Sequence, residues 1–559
     1  MKRILSILSA ALFCAAAFAQ GTARLAERTY IATDKDCYVA GDRIWCSAFC
    51  VDASTGRLSD FSSIAYIELH SDDGMVGTGK IALRNGRGAG SFTIPANCPT
   101  GNYRLLAYTA QNVNEDGFDY AAGSRLVSVF NTFTTERVRD GVEIVEDEPV
   151  KDYGQGSAGI RIAAGRPAGG TIGLKVTSLL AEAATVSVSV FHDDGIALPQ
   201  ASDIRSFSPR ADVDSLTFSD VRIPEYDGEI LYGRVAGIDP SRISEVEGKF
   251  AFVSVPGDRS DTYSCQIAAD GSATFFTNNF YGEKDLVCQI ENLDAGVGCH
   301  LEIDSPFVNV PVSGIPKLGM SSQIADALLE RSVSMQIEKA FDADTLYDRM
   351  PVRDNLLFGS EGITYRLDDY TRLPLMEECI TEFIQELRAR KDDARRRDLQ
   401  VRLQDSYRNT YFSKGASLMM VDGVPVFDHE VIYRYDPLLV ETVNIYPYTY
   451  FIGTRGYNGV VNFVTYKQNL PSVKFNDDVR ILEFQGASYP MAYTCADVKD
   501  SYPDYRQTIF WHPLVDLAAG GSADLTCRVP AYGGRFRVVV EGLTAQGEPV
   551  FQTAVIELK

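Results

Sequence analysis

The sequence predicts a mainly β, multidomain fold: a string of immunoglobulin-like sandwiches plus one small α+β unit. Three observations carry that reading. Short runs of β-branched and aromatic residues alternate with polar ones and are bounded by Gly, Pro, Asn and Asp over most of the 559 residues, as strands joined by turns require. Asp-Gly and Asn-Gly steps, which tolerate positive φ, stand between apolar runs at Asp422-Gly423 and Asn458-Gly459 and predict hairpin corners. A helical period occurs only after Met320 and again after Pro374.

In chain order, Met1-Lys2-Arg3, the apolar run Ile4–Phe18 and Ala17-Phe18-Ala19 make a secretory signal peptide over 1–19. The formal net charge of −22 becomes −24 once Lys2 and Arg3 are removed. That balance speaks against nucleic acid and anionic membranes as partners. No later segment is long and apolar enough for a transmembrane helix. Ten cysteines follow residue 19: Cys37, Cys46, Cys50, Cys98, Cys265, Cys288, Cys299, Cys379, Cys495 and Cys527. An oxidising compartment permits disulfides among them, with Cys37 and Cys98 as local candidates for Cys46 and Cys50. The alternative is that many are small buried hydrophobes. None has the C-x-x-C spacing of a zinc site.

Residues 22–138 read as a first sandwich. Ile44, Cys46, Ala48 and Cys50 alternate after a Gly41-Asp42 turn, and Ser63–Leu69, Gly90–Pro95 and Gly101–Tyr108 continue the series. The patterns TDK..Y.AGD..W from Thr33 to Trp45 and P.G.YRL.AYT from Pro99 to Thr109 resemble the N-terminal macroglobulin domain of alpha-2-macroglobulins. Val138–Tyr153 is acidic and aperiodic, a linker. A second sandwich is expected over 154–222 from Gly173–Thr177 and Thr185–Val190, and a third over 223–312. In the third, YGRV, VSVPG and ADGSATF resemble carboxypeptidase-regulatory-like sandwiches.

A helical connector follows over 318–345. Ser321 and Ser322 are its candidate caps, and Leu329, Val333, Ile337, Ala340 and Phe341 its apolar face. A second amphipathic helix, with Met376, Ile380, Phe383, Ile384 and Leu387 on one face, opens the unit 370–468. Arg388–Arg397 reads as its solvated charged end or an exposed loop. Leu418–Val421, Val440–Ile445 and Val460–Val464 then form strands around glycine corners. The order VDGVPV, P…VE.V.IY, GTRGYNGVVNFVTYK resembles the plug domain of TonB-dependent outer-membrane receptors. With the sandwiches, it makes the chain similar to exported plug-containing proteins of the Bacteroidetes type. The family's LQ…V.VRG element is echoed at Leu399–Leu403. Residues 474–559 are expected as a last macroglobulin-like sandwich, from Trp511, Pro513, Gly534–Gly542 and Val555–Leu558.

The resemblance implies an exported, non-enzymatic binding or scaffold protein of the Gram-negative envelope, periplasmic or associated with the outer membrane. Its partner would be an envelope protein, an outer-membrane barrel among the candidates. The alternative is an accessory subunit docking on a separate TonB-dependent transporter. The stretch after Lys467 is too short for a barrel of its own, and no Cys-Gly-Glu-Gln thioester sequence occurs. No cofactor or metal is called for: no two of His70, His192, His300, His429 and His512 have ligand spacing, and no G-x-S-x-G or H-E-x-x-H occurs. A glycan hydrolase with paired carboxylates is the distant third reading, because one sequence cannot pair acids in space.

The candidate contact loop comprises Asp422, Gly423, Arg455, Gly456, Asn458 and Gly459. Arg455 reads either as a loop arginine capping strand ends or as a partner contact at an exposed corner. His429 is the one histidine near the loop. Tyr446, Tyr448 and Tyr450 alternate and would line one strand face.

Overall fold

The computed structural model describes residues 25–133, 142–144, 156–157, 159–196, 203–219, 221–257, 261–293, 296–321, 324–341, 347–350, 362–391, 397–405, 407–413, 415–493 and 503–558. The stretch expected as a signal peptide, most of the expected linker and Cys495 lie outside the described residues. The chain is mainly β and divides into two compact units. One comprises 1–226, 307–350 and 487–559, the other 227–306 and 351–486. No helix among the described residues is long and apolar enough to cross a membrane.

In the first unit, strands Glu27–Thr33, Arg43–Asp52 and Arg87–Thr93 form one sheet. Cys37–Val39, Gly123–Phe130, Gly101–Tyr108, Ile64–Ser71 and Gly74–Ala82 form another. Ile31, Ile44, Ala48, Ile67, Leu105 and Val127 from both sheets meet in one core. The segments expected as separate sandwiches at 154–222 and 474–559 share two sheets instead. Ala184–His192 is hydrogen-bonded between Thr508–Leu517 and Gly534–Thr544, and Thr171–Ser178 pairs with Ser522–Arg528. Without the C-terminal strands, Ala184–His192 would have two bare edges, so alternation along 154–222 describes strands that cannot close a sandwich alone.

The expected connector helix of this unit runs Ala325–Ala340, starting after Ile324 with no side-chain cap, besides the short helices Ala110–Val113 and Phe118–Ala121. Its buried face is not the expected one: Arg331, Ser332, Ser334 and Met335 are inside, while Leu329 and Val333 are 65% and 45% exposed. Arg331 decides the orientation. Its guanidinium forks onto Asp194 and donates to the Cys37 carbonyl at 2.6 Å, and such a buried charge needs those partners.

The second unit begins with a sandwich. Strands β1 (Ile230–Ala236), β2 (Phe250–Val255), β3 (Asp261–Gln266), β4 (Ser272–Phe276), β5 (Glu283–Ile290) and β6 (His300–Ile303) form sheets ordered β4-β1-β6 and β3-β2-β5. Leu231, Val253, Phe275, Leu286 and Leu301 fill the space between them. A late strand, Arg480–Gln485, completes the second sheet on β5, although 474–559 was expected to be a domain apart.

The α+β part follows: β7 (Ile363–Arg366), α1 (Met376–Glu382), β8 (Leu387–Lys391), β9 (Arg397–Gln404), β10 (Thr410–Phe412), β11 (Leu418–Val421), β12 (Val424–Pro425), α2 (His429–Tyr433), β13 (Val440–Ile452) and β14 (Arg455–Thr465). The main sheet is ordered β7-β13-β14-β11-β12, with β11 parallel to β14. Here the expected helix stops early. Met376, Cys379 and Ile380 are buried on α1, but Leu387 starts a strand, and the described part of the charged run, 388–391 and Arg397, lies in β8 and at the start of β9 rather than in a solvated helix end or loop, while 392–396 lie outside the described residues. Leu387, Leu399 and Val401 enter the core beneath the main sheet, which gives this short ladder the buried side that a loop would lack.

Asp422-Gly423 is the two-residue corner the sequence predicts: Val421 opposes Val424, and φ is +47° and +76° at the two central positions. Asn458-Gly459 is not a corner. It lies within β14, and the β13–β14 turn is Gly453-Thr454. Gly459 has another job: φ is +86°, and a Cβ there would stand 2.4 Å from that of Val401. The glycine lets β14 pass against β9.

Among the described cysteines, Cys46, Cys50, Cys98, Cys265, Cys288, Cys299 and Cys379 carry no disulfide. The small-hydrophobe alternative describes Cys46, Cys50 and Cys98, all within the first core. Burial pushes the Cys288 thiol up to about 12.

Candidate functional site

The six residues of the candidate contact loop are engaged within their own unit. The Asp422 carboxylate is fully buried. It accepts from the Thr465 amide and hydroxyl, both at 2.7 Å, and from the Leu470 amide at 2.9 Å. It therefore ties β11 to the end of β14. Gly423 donates to Asn462 Oδ1 at 2.8 Å. The backbone of the same turn reaches the sandwich: Gly257 donates to the Asp422 carbonyl at 2.9 Å, and Thr262 Oγ1 donates to the Gly423 carbonyl at 2.7 Å.

Arg455 presents a flat guanidinium to Glu291, just past β5. Nε and Nη2 each donate at 2.8 Å, and the carboxylate side chain is 7% exposed. The group also lies over the rings of Phe250 and Tyr457, at 5.5 and 5.1 Å. Hydrogen bonding to Glu291 raises the Arg455 pKa, and burial raises that of Tyr457. Neither sequence alternative for Arg455 is this one: it is an intramolecular clamp. Gly456 sits under Phe451, whose ring would be 3.0 Å from an added Cβ. Asn458 accepts from Thr449 Oγ1 at 3.0 Å and donates to Ser413 Oγ at 3.1 Å, stitching β13 to the segment before β11.

An apolar seam runs beside these polar contacts. Phe252 of β2 packs with Leu418, Met420, Ile452 and Val460, and its ring centroid is 5.1 Å from that of Phe427. Ser264 Oγ of β3 donates to the Ile452 carbonyl at 2.5 Å. Sequence reasoning missed Glu291, Thr262 and Ser264, because each lies in an ordinary strand or strand end and its partner is more than 150 residues away. The spacing of the expected tyrosine stripe is also altered. A register shift between Tyr446 and Thr449 leaves Tyr446 and Tyr450 packed near the seam and Tyr448 43% exposed.

Next to the seam lies a cleft of about 860 Å³, with Leu418, Phe427 and Tyr457 among its apolar lining and Glu291, Gln400 and Lys474 among its polar lining. His429 is in the same wall. Its Nδ1 accepts from the Leu399 amide at 2.9 Å, so the proton of the neutral ring is on Nε2, and burial lowers its pKa. With its basic nitrogen occupied, His429 offers a donor rather than a general base. Arg397, also at the cleft, is held by Glu430 at 2.7 and 2.8 Å and by Glu377 at 2.6 Å. Among the described residues no three His, Cys, Asp or Glu side chains converge as a metal site would. The arrangement suits recognition: a recess of mixed polarity whose lining includes side chains already hydrogen-bonded.

No protein-family model matches the sequence, and no curated protein matches it. Solved structures do align. Trypsin-activated alpha-2-macroglobulin from Escherichia coli is 9% identical, with 95% of this chain and 41% of that one covered and a TM-score of 0.23. Salmonella alpha-2-macroglobulin reacted with methylamine is 10% identical, with 95% and 39% covered and a TM-score of 0.23. Dimeric latent PorU from Porphyromonas gingivalis is 10% identical, with 50% and 33% covered and a TM-score of 0.16. This chain spans about two fifths of the length of those macroglobulins.

Proposed function

We propose that this chain is an exported, non-enzymatic binding and scaffold protein of the Gram-negative envelope. In this reading, macroglobulin-type sandwiches carry a plug-like domain that works by contact. The observation that carries it is the docking of the plug-like sheet on the β1–β6 sandwich. The Arg455–Glu291 fork, the backbone bonds of the Asp422-Gly423 turn and the Phe252 seam fix the two together. The cleft beside them is thereby pre-formed, which lowers the ordering cost of binding. The occupied base at His429 supports binding over hydrolysis.

A photoreactive residue in place of exposed Lys474 at the cleft tests the reading in intact cells. The expected product is one cross-linked species of the envelope fraction, lost when the cleft is blocked by Asn476→Trp at an exposed lining position. A chain that stays in the cytoplasmic fraction and cross-links to nothing there would refute it. A cross-link to an outer-membrane barrel would instead assign the accessory role on a separate transporter.

A further inference from the structure

Two successive amides of β9 that turn away from β8 are capped by side chains. Val401 N–H donates to Ser417 Oγ at 3.0 Å, and Leu399 N–H donates to His429 Nδ1 at 2.9 Å. The two caps differ in kind. A serine hydroxyl accepts at any ordinary pH, whereas an imidazole nitrogen accepts only while it carries no proton. The Leu399 bond therefore exists only with a neutral ring. Leu399 is fully buried and enters the core beneath the main sheet, and among the described residues its amide makes no other hydrogen bond. A buried N–H that loses its acceptor is costly.

This bond joins two parts of the cleft wall. His429 opens α2, Leu399 lies near the start of β9, and both line the recess. A second acceptor waits for a charged ring: Asp398 Oδ1 is 3.8 Å from the same Nδ1, too far for a hydrogen bond as the ring now stands. The charged groups acting on the ring are Asp398 of β9 and Asp428 just ahead of α2. Burial lowers the His429 pKa and outweighs both, which raise it. In the same wall Arg397 and Glu430 are spent on each other, and Lys474 and Asp478 also line the cleft. The sign is that of a depressed imidazole: the neutral ring, and with it the bond, is present above the ordinary 6.5 and is lost as the pH falls through the lowered value.

We infer that His429 is an acid-sensitive pin of the cleft. Neutral, it holds α2 to β9 and keeps the recess in shape. Charged, it releases the Leu399 amide, turns its Nδ1–H toward Asp398 and unseats the bound partner. The inference rests on the binding role proposed above and adds its regulation: occupancy at neutral pH, release in acid.

The test follows hydrogen exchange of the full chain, labelled with 15N-leucine and 15N-valine, from pH 7.5 to 4.5. With intrinsic rates divided out, the Leu399 amide should lose up to about tenfold in protection per pH unit below 6.5, because opening takes up one proton. The Val401 amide, capped by Ser417, should hold. His429→Asn puts an amide oxygen in the place of Nδ1 and does not titrate, so its Leu399 protection should not change with pH. Asp398→Asn, at a half-exposed position, removes a group that favours the charged ring and should move the transition to lower pH. The Lys474 cross-link, formed in envelope extracts, should fall about tenfold between pH 7.5 and 4.5, and in His429→Asn its yield should be the same at both. Leu399 protection that ignores pH, that falls equally in His429→Asn, or that falls together with Val401 overturns the inference, as does a cross-link indifferent to acid. In those cases a Lys474 cross-link to an envelope protein leaves the binding role standing. If Lys474 cross-links to nothing at either pH, the binding role falls and takes the release step with it.

Discussion

Replacing Arg455 by Met should loosen the main sheet of the α+β part from its sandwich. The substitution removes two hydrogen bonds of 2.8 Å from a carboxylate whose side chain is 7% exposed. Stranding one partner of a fully buried pair costs about 3–5 kcal/mol. Here the Arg455 side chain is 31% exposed, and water can re-enter on its side, so the expected loss is about 2 kcal/mol. Scanning calorimetry of the full chain should show the transition of the second unit falling by roughly 4–8 °C, at about 2–4 °C per kcal/mol for a body of this size. Glu291→Gln alone should cost less, and a double-mutant cycle should return a coupling above about 1 kcal/mol. A coupling within about 0.5 kcal/mol of zero, inside the usual additivity error, would mean that the fork is incidental and that the seam alone holds the sheet.

Other outcomes follow from the same contacts. Asp422→Ala leaves the Thr465 and Leu470 amides without their buried acceptor and should cost about 3 kcal/mol, read as a lower urea midpoint of the second unit. An unchanged midpoint would show that the turn holds without the carboxylate. Gly459→Ala meets Val401 at 2.4 Å in a positive-φ backbone and should cost at least about 2 kcal/mol. Adding Val401→Ala should recover only part, because the backbone strain remains.

In the first unit, burial first and then Asp42 push Glu338 up to about 7 from an ordinary 4.5. The folded chain therefore holds a proton that the unfolded chain releases across that window. Stability should decline from about pH 4.5 to 7 by on the order of 2–3 kcal/mol and then level off. Denaturant midpoints at pH 5 and 8 should differ less in Glu338→Gln, and an identical pH slope in both proteins would contradict the assignment. Cys46, Cys50 and Cys98 should resist thiol reagents in the native chain and react in urea. Prompt native labelling would mean that the first core opens readily.

What could be read from the sequence was local. Alternation found the individual strands, and Asp422-Gly423 announced a real corner because its two positive φ values need those residues. What could not be read was pairing at a distance. Ala184–His192 shows a clean strand pattern, yet nothing in its residues says that both neighbours come from beyond residue 500. The helix at Ala325–Ala340 was misoriented for a related reason: apolar periodicity favoured Leu329 and Val333, whereas a distant Asp194 claimed Arg331. At the candidate site, the glycines and Arg455 stood out, but their partners Val401 and Glu291 are unremarkable strand-region residues. Asn458-Gly459 misled because a glycine needed for close approach has the same spelling as one needed for a turn.

The central physical claim is that the β7-β13-β14-β11-β12 sheet and the β1–β6 sandwich open together. Native-state hydrogen exchange at Gly257, whose amide donates to the Asp422 carbonyl, and at Gly423, whose amide donates to Asn462, addresses it most directly. The account predicts that both amides exchange with the same opening free energy as the β14 core amides, and that Arg455→Met lowers all of them together. Rapid exchange at Gly257 while β14 stays protected would contradict it, because the sheet would then ride loosely on its sandwich and the cleft would not be pre-formed.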